Sequence, residues 1–152
     1  MGATQPQAWL FAALMLLAGF GIPIMAALNG GLAMRIQSTA AASTILLAFA
    51  LGCALIVTLT TEGIPKTVYQ SSTPFYYYMA GFFVVFYTFT ITWVGPRFGV
   101  GNAVAFVLLG QLIAMTIIDQ YGLFDSPQIS LSLQRIIGLV FMTAGVFLVV
   151  RN

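Results

Sequence analysis

The chain has 152 residues, 61% of them hydrophobic and 5% charged, with a mean hydropathy of +1.03. A soluble domain is roughly 45–50% apolar and about 25% charged, so five Lys/Arg and three Asp/Glu cannot cover a soluble surface, and this surface must face lipid. The net charge of +2 is scattered rather than clustered into a nucleic-acid stripe, and the single cysteine, Cys53, supplies no disulfide framework.

Five apolar stretches follow one another, and each is close to the roughly 20 residues that cross a hydrocarbon core. The first runs from about 8 to 33; its leading residues, Met1 to Gln7, carry no Lys or Arg, so it reads as a span rather than a signal peptide. The second covers about 40–60. After a break containing Glu62, Pro65 and Lys66, the third covers about 75–94. Gly95-Pro96-Arg97-Phe98-Gly99 reads as a tight turn into the fourth, about 100–121. A break from Gly122 to Ser130 precedes the fifth, about 131–150. An isolated apolar segment in lipid must satisfy its own backbone, and the alternation of a β-barrel is absent, so these are helices. The expected fold is an all-α membrane protein, one five-span domain over residues 1–152.

Aromatic residues stand at the ends of these spans: Trp9, Tyr76-Tyr77-Tyr78 and Tyr121 on the side of the N-terminus, Trp93 on the other. Lys66 and Arg135 lie on the first side against Arg35, Arg97 and Arg151 on the second. A bias of one specifies orientation weakly, so copies inserted both ways are compatible with it. All three acids lie on the side of Lys66 and Arg135. Two copies packed head-to-tail would bring arginines near acids, although the arginines could equally meet lipid phosphates.

No constellation resembles an active site: there is no His, no close carboxylate pair and no metal-ligand cluster, so neither an enzyme nor a resident metal or cofactor is expected. What remains is polar groups inside apolar helices, where each is costly. Gly19, Gly21, Pro23 and Asn29-Gly30-Gly31 suggest either a broken helix lining a midplane site or a kink with close packing. The third span carries Tyr87, Thr88, Thr90, Thr92 and Trp93, the threonines being suited to bonding their own helix. Tyr87 and Trp93 lie about 120° apart around the helix, so one of them rather than both would face a cavity. The fourth span carries Asn102, Gln111 and Asp119. Gln111 and Asp119 are separated by about 12 Å and about 80°, so they can border one cavity at two depths. An anion at a helix C-terminus opposes the macrodipole, so Asp119 needs a cationic partner, Arg135 being nearest, or a functional role. Small residues four apart, Ala48 with Gly52 and Gly110 with Ala114, permit close helix approach. Gly138, Ala144 and Gly145 give the fifth span a face for packing.

Gly21-Ile22-Pro23 leading to Ala26-Ala27-Leu28-Asn29, Pro96-Arg97-Phe98-Gly99, Gly110-Gln111, and Ile118-Asp119-Gln120-Tyr121-Gly122-Leu123-Phe124 resemble the YdcZ-type family of bacterial inner-membrane proteins, in the drug/metabolite transporter superfamily. The Gly-Gln and Asp-x-x-Gly-Leu-Phe pieces carry the resemblance most specifically. It implies a five-helix half-transporter that pairs antiparallel, as a homodimer or with a sister chain, to form an inverted repeat in the inner membrane. One departure is Met25, near which the family pattern leads one to expect a glutamine. The superfamily's small multidrug exporters use a first-helix glutamate for proton exchange, and this first span has no acid. The expected function is therefore a secondary transporter, an exporter of small organic solutes working by alternating access, with membrane lipids and a solute as its small-molecule partners. Asn29, Tyr87, Trp93, Asn102 and Gln111 are the expected substrate-binding residues and Asp119 the coupling or gating group. The alternative is a non-transporting assembly or scaffold subunit whose polar residues join helices.

Overall fold

The computed structural model describes residues 5–63 and 73–150, with side chains from residue 9 onward. Five helices lie over the five apolar stretches: α1 (Gln5–Ile36), α2 (Thr39–Thr61), α3 (Ala80–Phe98), α4 (Val100–Tyr121) and α5 (Leu133–Val150), with a 3₁₀ turn, Phe75–Met79, leading into α3. All five segments are long and apolar enough to cross a membrane, and no strand occurs among the described residues. Lys66 and Arg151 of the charge tally lie outside the described residues.

Of the two readings of the first span, the broken helix is not found, and the turn expected at 95–99 is shorter. α1 runs through Gly19, Gly21 and Pro23 without a break. In hydrocarbon every freed carbonyl is expensive, so the helix continues and only the Gly19 carbonyl loses its donor, the N–H that Pro23 lacks. α3 likewise continues through Gly95-Pro96-Arg97 to Phe98. The expected five-residue turn shrinks to Gly99 alone, at φ 90° and ψ 132°, a backbone conformation open to glycine.

The corner between α1 and α2 is equally tight. Gln37 takes a left-handed φ of 53°, and the Ser38 N–H donates to the Ala33 carbonyl at 3.1 Å, closing α1 with a Schellman-type bond. Ser38 then opens α2, its Oγ accepting from the Ala41 N–H at 3.1 Å. One serine thus ends one span and starts the next.

The described residues cluster into two units, one ending at Arg97 and the other starting at Phe98. In the first, the buried residues of α1 are Ala26, Asn29, Gly30 and Ala33, spaced as one helical face, with Ala42 and Ser43 buried on α2 and Thr88, Ile91, Thr92 and Gly95 on α3. Small residues dominate because lipid offers no hydrophobic drive between helices, and close van der Waals approach must supply the contact. The small pairs expected to do this, Ala48 with Gly52 and Gly110 with Ala114, are exposed instead.

In the second unit α4 and α5 pack along a seam containing Leu109, Leu112, Thr116, Leu139 and Thr143. The two threonines bond their own helices, Thr116 to the Leu112 carbonyl at 2.7 Å and Thr143 to the Leu139 carbonyl at 2.8 Å. Ser132 caps α5, its Oγ accepting from the Arg135 N–H at 3.2 Å.

Candidate solute-binding residues

Asn29 sits on the buried face of α1, 4% exposed, and its Nδ2 donates to Thr92 Oγ1 of α3 at 2.6 Å. The Thr92 hydroxyl in turn donates to the Thr88 carbonyl at 2.6 Å. One threonine therefore answers both its own helix and a neighbouring one. Beside this bond Gly30 meets Pro96: a Cβ at Gly30 would stand 3.0 Å from Pro96 Cγ and 3.3 Å from Cδ. The amide, the two threonines, the glycine and the proline form a single clasp between α1 and α3. Asn29 is also the one polar residue lining an open groove of about 520 Å³ along α1 and α2, whose other walls include Met25, Leu28, Leu46 and Phe49.

Tyr87 immediately precedes Thr88, and its hydroxyl is buried without a hydrogen-bond partner; Ser43 Oγ on α2 shares that condition. Buried polar atoms of this kind are few in folded proteins, and each calls for a physical explanation. Trp93 is exposed. The Arg97 guanidinium lies over its ring, 5.0 Å from the centroid, and Arg97 Nη1 donates to the Trp93 carbonyl at 2.6 Å. Tyr87 and Trp93 thus occupy unlike surroundings.

The second unit spreads its three candidates along α4. Asn102 Nδ2 donates to the Phe98 carbonyl at 3.0 Å, serving the corner around Gly99. Gln111, midway, is exposed. Asp119 closes the other end, about 26 Å from Asn102 along the axis, so the helix does not bring those two together. The Asp119 carboxylate pairs with Arg135 of α5, both side chains about four-fifths buried.

The segment after Asp119 forms a clamp. Gly122 turns left-handed at φ 58° and ψ 39°, its N–H donating to the Ile118 carbonyl. Phe124 and Asp125 also take positive φ, 57° and 58°. The returning chain is then tied to the end of α4. The Ile129 N–H donates to the Asp119 carbonyl at 2.9 Å, the Leu131 N–H to Gln120 Oε1 at 2.8 Å, and Gln128 Nε2 to the Gln120 carbonyl at 3.0 Å. Gln120 and Ser43 were not singled out from the sequence. A Gln beside Asp119 was a usable signal for the first, whereas a serine in an Ala/Leu/Thr-rich span offers none.

A family model described as "Putative inner membrane exporter, YdcZ" matches residues 10–148. The chain belongs to this family. With its five membrane-crossing helices, the YdcZ-family chain is a multi-pass inner-membrane protein. The match reaches from α1 to α5, so the Asn29 clasp and the Asp119 clamp both lie within the YdcZ region. No curated protein and no solved structure matches the chain.

Proposed function

We propose that the chain is half of a secondary transporter that exports small organic solutes across the inner membrane. It pairs antiparallel with a second copy or a sister chain and works by alternating access. The family's description as an exporter supports the transport role. Five spans place the two termini on opposite sides, so a copy inserted the other way completes an inverted repeat without a linker. The observation that carries the assignment of the site is Gln111, an exposed amide at the middle of α4. Leaving such an amide unpaired in hydrocarbon costs about 2–7 kcal/mol, so a solute or a facing helix is needed to answer it. In this reading Gln111 and Asn29 recognise the solute's polar groups and Tyr87 forms an aromatic wall. Trp93 and Asn102 flank the path, and Asp119 gates by exchanging its bond to Arg135.

Efflux of a panel of small organic solutes from cells or proteoliposomes tests this. Gln111→Ala at unchanged expression is expected to abolish transport of whichever solute the parent moves, and equal transport would remove Gln111 from the site. Labelling both termini from each side of the membrane tests the pairing. A single orientation for every copy refutes the homodimer and leaves pairing with a sister chain.

A second reading has its own support. Asn29 bonded to Thr92 and Asp119 bonded to Arg135 are what a scaffold subunit uses to join helices. Cysteines placed around Gln111 separate the two: reaction with polar reagents indicates a water-filled path, and protection indicates helix-to-helix contact.

A further inference from the structure

We propose that the cavity at the α1–α2 corner of the first unit is a binding site for an oxyanion, a phosphate or carboxylate group. The cavity holds about 270 Å³, and Gln37, Ser38, Thr39, Thr92 and Arg97 line it, with Pro96 among the apolar walls. At about 30 Å³ per water this is room for several waters, enough for a phosphate and part of what bears it. Its chemistry sets it apart from the grooves described above. The α1–α2 groove has a single polar residue, and the two threonine hydroxyls of the α4–α5 seam are spent on their own helices.

The lining supplies donors and no acid. Arg97 is held in place by its bond to the Trp93 carbonyl and by the Trp93 ring beneath it. One of its five N–H groups is thereby used, and four are left in a fixed fork suited to a planar or tetrahedral oxyanion. Among the described residues no ion pair to Arg97 occurs. Gln37 and Thr39 line the same cavity, whereas the Thr92 hydroxyl is already committed between Asn29 and Thr88. The first turn of α2 opens at the same corner. Ser38 Oγ takes the Ala41 N–H there, and no acidic residue occupies that turn to compete with a bound anion. Arginine, amide, hydroxyl and a helix start thus line one cavity where α1 and α3 end and α2 begins. This site does not rest on the exporter reading.

The test uses the full chain purified in a neutral detergent, with two probes: inorganic phosphate, and mixed micelles containing phosphatidylglycerol against micelles of the neutral detergent alone. Binding is read from Trp93 fluorescence, with Trp9→Phe as background, and from the melting temperature. The expected result is a saturable response to at least one probe. Arg97→Gln weakens it about tenfold, the loss of a charge-assisted bond, Arg97→Lys recovers part, and Arg35→Gln changes it less than about twofold, because Arg35 does not line the cavity. A response to phosphate identifies a soluble ligand, and a response to phosphatidylglycerol alone identifies a headgroup; both support the site. No saturable response to either probe overturns it, as does equal weakening by Arg35→Gln and Arg97→Gln, which would mean surface charge alone. If Arg97→Gln does not fold, the double variant Gln37→Ala/Thr39→Val keeps the arginine and must weaken binding. Unchanged binding there overturns the proposal.

Discussion

The clasp between Asn29 and Thr92 makes a quantitative prediction about what Asn29 does. Replacing Asn29 by Ala removes the 2.6 Å bond to Thr92 Oγ1 and leaves the threonine its bond to the Thr88 carbonyl. Replacing Thr92 by Val removes both bonds, and the Asn29 amide, 4% exposed, is left without its acceptor. Thr92→Val should therefore cost more than Asn29→Ala, by the desolvation of an orphaned amide, about 1–3 kcal/mol. The double variant removes both partners, and the coupling between the two sites should fall at about 0.6–1.7 kcal/mol, between the average and the largest value measured for interhelical hydrogen bonds in a membrane protein. Reversible unfolding in mixed micelles, with all four members of the cycle at one detergent composition, measures it. A coupling within about 0.3 kcal/mol of zero would refute the clasp and return Asn29 to the pool of groups free to meet a solute. Transport adds a second axis. A purely structural Asn29 changes stability and leaves the solute's KM alone. One that trades Thr92 for solute raises KM in Asn29→Ala and leaves Thr92→Val with normal or tighter binding, since the competing partner is gone.

Two further predictions test the close approaches. Gly30→Ala should lower stability by about 1–3 kcal/mol, because its Cβ meets the stiff pyrrolidine ring of Pro96 at 3.0 Å. Gly31→Ala, with nothing within 4 Å of its Cβ, should be neutral or stabilise the helix by up to about 1 kcal/mol; the melting temperatures of the pair check it, and equal shifts would refute the contact. Gly122→Ala should cost about 1–2 kcal/mol for its left-handed φ of 58°. The added Cβ also touches Gln128 Cβ and the Ser126 carbonyl at 3.4 Å. Loosening of the 126–132 segment, seen as faster amide exchange at Ile129 and Leu131, is the diagnostic readout.

The spans were legible because one physical requirement, about 20 apolar residues per crossing, dominates everything else in lipid. Their interruptions were harder to read for the same reason, the first span leaving a break and a close-packed kink both open and the turn at 95–99 proving shorter than expected. Pro23 and Pro96 break helices in water, whereas in hydrocarbon the cost of freed backbone groups keeps α1 and α3 going. Small-residue spacing showed that helices approach closely without showing where. Ala48, Gly52, Gly110 and Ala114 fit the pattern as well as Ala26, Gly30 and Ala33 do, and which set is buried depends on which helix face meets a neighbour. Among the polar residues, legibility followed distance along the chain. Asp119 and Arg135 are 16 positions apart across one loop, and their pairing was the nearest available. Asn29 and Thr92 are 63 apart, and nothing local to either announces the other.

The Asp119 clamp limits what any gating role can be. The carboxylate is paired with Arg135, while the carbonyl of the same residue holds the Ile129 N–H and its neighbour Gln120 holds the loop from both sides. Protonating or displacing the carboxylate would cut one tie of four. α5 would then stay attached to α4 through the backbone and Gln120, free to pivot about the Ser132 cap rather than to separate. Asp119→Asn with Gln120 intact should therefore leave the loop's amide protection largely in place while changing transport. Gln120→Ala should release the loop with the ion pair still formed, read as faster exchange at Leu131. If both variants lose loop protection equally, the ion pair and the clamp are one cooperative unit, and Asp119 cannot act as a gate without unfolding the joint that holds it.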